Sequence, residues 1–365
     1  MPSQRLLENV RVIDLSQYIP GPFATRQLAD LGAEVIKVEP PGGDPMRFFM
    51  HGDDDVLSPI YRHLNRGKRI CNLDLKAKQD RQIFTRLLAD ADILLESFRP
   101  GVLARLGFDR AQLEKINPGL IHCALSGYGQ IGPYAQRAGH DINYCALSAQ
   151  SIVSGNLEKP VIGYPPIADH AAALQASIAM LAALHAKNAG RGGVYLDISM
   201  TESILAWQYL PMLGKKSAQR AATILNGGAA CYNVYQCADD RFISLGAIEA
   251  AFWRNFCNAL GKPEWTSRQF ESMPQRELIE AVAAEIASQT GAHWQQKLDP
   301  VDCCFEILFT PGELANHAQF QSRQAFNENG PNYPAWIDQQ VLKVATEPEQ
   351  VGSTNDLNWK STGAD

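Results

Sequence analysis

Along the first 130 residues, short aliphatic and β-branched runs alternate with longer stretches whose apolar positions recur every three or four residues. "VRVIDLS", "EVIKVE", "RICNLDL", "DILLESF" and "LIHCALSGYG" read as strands. Between them "GPFATRQLADLG" reads as a helix, with Pro22 in its first turn and Gly32 at its end. "QDRQIFTRLLADA", "VLARLG" and "AQLEKI" are further helical patterns. This alternation predicts an α/β fold, a Rossmann-like doubly wound parallel sheet covered by helices on both faces. Beyond a Pro-rich stretch, "HAAALQASIAMLAALHAK" predicts a long helix: Leu174, Ile178, Leu181 and Leu184 fall close to period 3.6, and its alanine-rich faces imply tight packing. "GRGGVYLDIS" predicts a turn and one more strand.

The pattern changes near residue 225. "CYNVYQCADDRFISLGAI" reads as a hairpin around Asp239–Asp240, and amphipathic helices follow. The expected organisation is a large domain over 1–205, a linker over 206–225, a small α+β domain over 226–325, and a C-terminal strap over 326–365 that returns toward the large domain. That last segment is rich in Asn, Pro and Gly and reads as loosely structured.

Composition narrows the function classes. A net charge of −6 argues against a nucleic-acid or anionic-membrane binder. The N-terminal residues carry no apolar signal core, and no uninterrupted 18-residue apolar run occurs, so the expected location is the cytoplasm. The eight cysteines are scattered without C-x-x-C or zinc-type histidine spacing, which predicts reduced, mainly buried thiols and no metal site. The first strand–helix turn, "SQYIPGP", lacks G-x-G-x-x-G, and no G-x-x-x-x-G-K-[ST] exists. Dehydrogenase and P-loop readings therefore drop out.

Five blocks carry a resemblance: "GPFATRQLADLGAEVIKVEPPGGDPMR", "NRGKRICNLDLK", "DILLESFRPGVLARLGF", "NPGLIHCALSGYGQIGPYAQRAGHDINYCALS" and "GRGGVYLDISMTES". In this order they resemble the family III CoA-transferases (CaiB/BaiF), which include the α-methylacyl-CoA racemases. A weaker match, "YNVYQCADDRFISLGAIEAAFW", extends it to about residue 253. The resemblance implies an interlocked homodimer acting on acyl-CoA, with CoA as part of the substrate and no tightly bound cofactor.

Asp169, in "PPIADHAAAL", has a plain reading as a helix N-cap. By resemblance it is the catalytic carboxylate, a nucleophile in transferases and an acid/base in racemases. Helix-start N–H groups nearby would serve as an oxyanion site. His140, in "GHDINY", stands 29 residues earlier, at the racemase motif's histidine. Racemising an α-carbon takes two protonatable groups on opposite faces, and a His/carboxylate pair meets that need. Asp141 is expected to orient the imidazole. Glu249 matches an acidic position near the racemase site, and reads equally well as a solvated carboxylate at a helix start. For CoA the resemblance implies Ile19 and Pro20 in the first loop, Lys37 near the adenine and phosphates, and Leu73 and Leu75 beside the adenine. Phe98, Arg99, Arg105 and Arg137 complete the set. Singly, each cation is as easily a surface charge.

The expected function is 1,1-proton transfer on a 2-methylacyl-CoA between His140 and Asp169. The rivals are CoA transfer through an Asp169 acyl anhydride and a non-catalytic acyl-CoA-binding homologue. The histidine, and the lack of a four-glycine run like the loop of oxalate-type transferases, favour the racemase; "IGYPPIAD" and "HAAA" depart from the racemase pattern.

Overall fold

A computed structural model describes residues 5–50, 56–213, 219–352 and 357–360. The chain divides into two compact units. The first holds 1–145, 164–206 and 315–365; the second holds 146–163 and 207–314. Residues 146–163, assigned from sequence to the large domain, thus pack with the second unit, and part of the expected linker, 214–218, lies outside the described residues.

In the first unit the chain runs β1 (Arg11–Leu15), α1 (Pro20–Asp30), β2 (Glu34–Glu39), α2 (Pro59–Asn65), β3 (Arg69–Asn72), α3 (Lys78–Ala89), β4 (Ile93–Glu96), α4 (Val102–Arg105), α5 (Arg110–Ile116), β5 (Ile121–Ser126) and α6 (Asp141–Leu147). After the excursion carrying α7 (Gln150–Val153) come α8 (Ile167–Asn188) and β6 (Val194–Ser199). The strands form one parallel sheet in the order 3-2-1-4-5-6, extended beyond β3 by the short strand Glu349–Gln350. The five strand runs read in the first 130 residues and the one in "GRGGVYLDIS" all lie in it. The order reverses between β1 and β4, and in open α/β sheets ligands bind at the carboxyl ends beside such a reversal.

Each sheet face buries its own apolar layer. Val12, Ile93, Leu95, Ile121, Cys123 and Leu125 pack against α1 and α8, while Ile13, Leu15, Ile36 and Leu94 pack against the helices of the opposite face. The long helix docks through its small residues. Ala168, Ala172, Ala173, Ala176 and Met180 are fully buried, whereas Leu174 and Ile178 are 44% and 62% exposed. The physical reason is close approach to α1, where the Ser177 hydroxyl reaches the Ala24 carbonyl. By length and composition α8 is apolar enough to cross a membrane, yet half of that window is buried inside the protein.

The C-terminal residues are more ordered than their composition predicts. Glu349–Gln350 joins the sheet, Leu342 and Leu357 are buried, and the Trp359 indole donates to the Leu87 carbonyl. Buried apolar anchors, not a repeating pattern, hold this segment.

The second unit is built on an antiparallel sheet, β7 (Tyr232–Gln236), β8 (Phe242–Gly246) and β9 (Phe305–Ile307), whose first hairpin turns at Asp239–Asp240 as expected. Trp253, Phe256, Leu278, Val282 and Trp294 form its core. All eight cysteines are free, and seven are buried.

Candidate active site

The loops after β1 and β4 meet at the strand-order reversal. The Ser97 hydroxyl accepts from the Gln17 N–H at 3.1 Å, which ties the two loops together. Glu96 accepts from the Phe98 N–H at 2.7 Å and sets the turn that presents Phe98 and Arg99. Burial raises the Glu96 carboxyl to about 7.

These loops wall a cleft of about 640 Å³, into which Pro20, Phe98, Arg99, Arg137, His140 and Asp169 all face. Gln17, Ser97, Tyr128, Asn143 and Tyr144 line it too, although sequence reasoning gave them no part. Tyr144 shapes the wall. Its hydroxyl donates to the Gly139 carbonyl at 2.6 Å, and its ring lies where a Cβ on Gly127 would come within 2.6 Å. Only glycine fits at 127 with the ring in place. The signal for this in sequence was the aromatic and glycine content of "SGYG" and "INY".

A second cavity of about 220 Å³ is lined mostly by apolar groups, among them Leu15, Val38, Leu73, Leu75 and Phe98. Gln17 and Phe98 line both spaces. Leu73 and Leu75 thus belong to a different cavity from Asp169, one that shares its boundary residues.

Asp169 sits inside the first turn of α8, and it is not a cap. The helix begins after Pro166, which supplies no capping side chain. The Asp141 carboxylate does that work from outside: one oxygen accepts from Ala168 N–H at 2.6 Å and from Asp169 N–H at 3.2 Å. Two sequence expectations change as a result. Asp141, expected to orient the imidazole, has its carboxylate engaged by the amides of the helix start. The helix-start amides expected to hold an oxyanion are also occupied, since a carboxylate is the stronger acceptor.

With its own amide satisfied, the Asp169 side chain is left for the cleft. Burial, and then the charge of Asp141, raise its carboxyl from 3.8 to about 7. Near neutral pH it holds and releases a proton with similar ease. Burial and the Asp169 charge push the Tyr144 phenol up to about 12. His140 is exposed and stands at the start of α6, where the Asn143 side chain accepts from its backbone N–H at 3.0 Å.

Other expected residues lie elsewhere. Lys37 is fully buried, paired with Asp44 at 3.0 Å and donating to the Ser16 carbonyl at 2.6 Å, so its ammonium is unavailable to a phosphate. Ile19 packs beside Met46 and Tyr61. Arg105 is exposed in the last turn of α4 and lines neither cavity. Arg137, on the cleft wall, lies over the Tyr134 ring, 4.6 Å from its centroid. Glu249 belongs to the second unit, exposed just before the helix Ala250–Leu260. Among the described residues no group of three or more metal-ligating side chains occurs.

The family model for CoA-transferase family III matches residues 7–354. The chain is 36% identical over 341 residues to the α-methylacyl-CoA racemase of Mus musculus, covering 90% of this chain and 84% of that protein. It is 33% identical to the succinyl-CoA–D-citramalate CoA-transferase of Chloroflexus aurantiacus, covering 88% and 83%. A solved CaiB/BaiF family protein from Brucella suis superposes with a TM-score of 0.81, covering 95% of this chain and 97% of that one at 24% identity.

Proposed function

Because the chain belongs to CoA-transferase family III, whose members include racemases and CoA-transferases, we propose that it racemises the α-carbon of a 2-methylacyl-CoA. One observation carries this reading: a carboxyl raised to about 7 and a histidine face the same cleft. Both relatives named above are of comparable identity, so similarity does not choose between the reactions. Chemistry does. A carboxylate nucleophile works best fully ionised, whereas a group titrating near neutrality moves protons in both directions.

In the proposed reaction Asp169 and His140 stand on opposite sides of the α-carbon. One removes the proton, the thioester carries the enolate charge, and the other returns a proton to the opposite face. The CoA moiety lies from the cleft toward the Leu73–Leu75 cavity, with Arg99 and Arg137 beside its anionic groups and Phe98 along its path. No further cofactor takes part. Asp141 supports the reaction through Asp169. Seven buried free thiols suit a reducing compartment, in keeping with the cytoplasm.

We further read the working form as an interlocked homodimer. Supporting it are apolar side chains left to solvent: Tyr164 (92% exposed) and Ile178 in one unit, Ile162 (77%), Met212 and Leu213 (82%) in the other.

The test is incubation with a chiral 2-methylacyl-CoA in D₂O, beside acyl-CoA with a free carboxylate. Deuterium entering C2 with loss of chirality, abolished in His140→Ala, is the expected result. Transfer of CoA to the free carboxylate with a trappable acyl–Asp169, and no deuterium, replaces racemisation with transfer. CoA binding with neither reaction favours a non-catalytic homologue.

A further inference from the structure

Lys37, withdrawn from any ligand, has a different partner set. Its ammonium holds the Ser16 carbonyl at 2.6 Å and pairs with Asp44 at 3.0 Å, an ionic contact more than an aligned hydrogen bond. The other Asp44 oxygen accepts from Met46 N–H at 3.0 Å and Tyr18 N–H at 3.4 Å. Asp14 accepts from the Ser16 N–H at 2.9 Å and from its hydroxyl, and is paired in turn with Lys68 at 3.0 Å. Ser97 takes the Gln17 N–H.

Three consecutive amides, of Ser16, Gln17 and Tyr18, are therefore fixed by side chains from three different segments and by no strand ladder. The turn they form is unusual. Tyr18 has φ +64°, a region costly for a residue with a Cβ. Ser16 sits so close over Gly21 that a Cβ there would lie 2.1 Å from the serine Cβ. Such a turn persists when its surroundings over-determine it. Buried ion pairs contribute little net stability, because desolvation offsets their attraction. The residue whose place this geometry sets is Gln17, at the common boundary of both cavities.

We propose that the Lys37–Asp44 pair is a positioning device that holds the Ser16–Tyr18 turn, so that Gln17 meets the amide-bearing arm of a CoA thioester lying across the two cavities. The inference rests on the reading of these cavities as an acyl-CoA site. Gln17 offers both a donor and an acceptor, which match the N–H and C=O of the pantetheine amides. Lys37 and Asp44 touch no ligand.

The test uses the full chain and free coenzyme A, with titration calorimetry for affinity and hydrogen exchange of the Gln17 and Tyr18 amides without ligand. Asp44→Asn keeps the side-chain shape and removes the charge. It is expected to speed exchange at Tyr18 and to weaken CoA about tenfold, equivalent to about 1.4 kcal/mol. For turnover, KM rises by the same factor while kcat at saturation stays within about threefold, the mark of lost uniform binding. Gln17→Ala is expected to cost a similar factor, and the double variant little more than either single one. Where Asp44→Asn fails to fold, Ser97→Ala, which removes only the neutral tie to Gln17, takes its place in the same cycle. Unchanged CoA affinity in the positioning variant, or effects that add in full, overturns the proposal. Failure of the unsubstituted protein to bind CoA overturns the acyl-CoA reading itself, and is told apart because no substitution is needed to see it.

Discussion

Replacing Asp169 with asparagine is expected to stabilise the folded chain, and more so at high pH than at low. The carboxyl is raised from 3.8 to about 7 in the folded protein. Between those values the unfolded chain has released its proton while the folded chain keeps it, so stability falls as pH rises through the window. Above about pH 7 both states are ionised and the loss levels off. Roughly three pH units at about 1.36 kcal/mol each set an upper figure of about 4 kcal/mol. Asp169 is partly open to the cleft, and solvent screening reduces this to about 2–3 kcal/mol. Asparagine has nearly the same shape and no titration. Urea unfolding of both proteins at equal concentration, at about pH 4.5 and about pH 8, measures the difference. The expected gain is below about 1 kcal/mol at the acid value and about 2–3 kcal/mol at the alkaline one. An equal gain at both, or a larger one in acid, refutes the account of Asp169 as a carboxyl lifted by burial. The same substitution should abolish proton exchange, so stability and activity move in opposite directions.

Asp141→Asn keeps an oxygen for the α8 amides and removes the neighbouring charge. Burial is the larger of the two causes raising Asp169, so the limb of the pH–rate profile set by Asp169 should move down by less than half of the full rise. An unmoved or rising limb counts against the coupling. Arg99→Ala and Arg137→Ala each remove an exposed cation from the cleft wall. Each should weaken free CoA about three- to tenfold, with a shallower dependence of affinity on salt than the unsubstituted chain shows. Unaltered titrations at low salt would remove both residues from the site.

The parallel sheet was legible because its strands are continuous apolar runs bounded by turn residues, a pattern that survives without tertiary information. His140 and Asp169 were legible from their motif, and they do line one cleft. Lys37 was misread because a lysine in the last half of a strand looks alike in sequence whether its partner is a ligand or a buried Asp44 some residues further on. Asp141 was misread for a different reason. Two adjacent polar residues share a string, but the amides that engage the Asp141 carboxylate belong to Ala168 and Asp169, 27 and 28 residues further on. On α8, hydrophobic counting favours Leu174 and Ile178, while the narrow space against α1 admits alanine. The two-residue strand at Glu349–Gln350 is simply too short to carry a period.

That late strand has a consequence for the timing of synthesis. It pairs with Arg69–Ile70, about 280 residues earlier in the chain. At ordinary translation rates of about 5–20 residues per second, the β3 edge emerges roughly 15–60 s before its neighbour exists. For that interval the nascent sheet offers an open row of backbone donors and acceptors, a template for pairing with other nascent chains. The second unit, whose hairpin and helices are local in sequence, can be complete while the first still waits for its outermost strand.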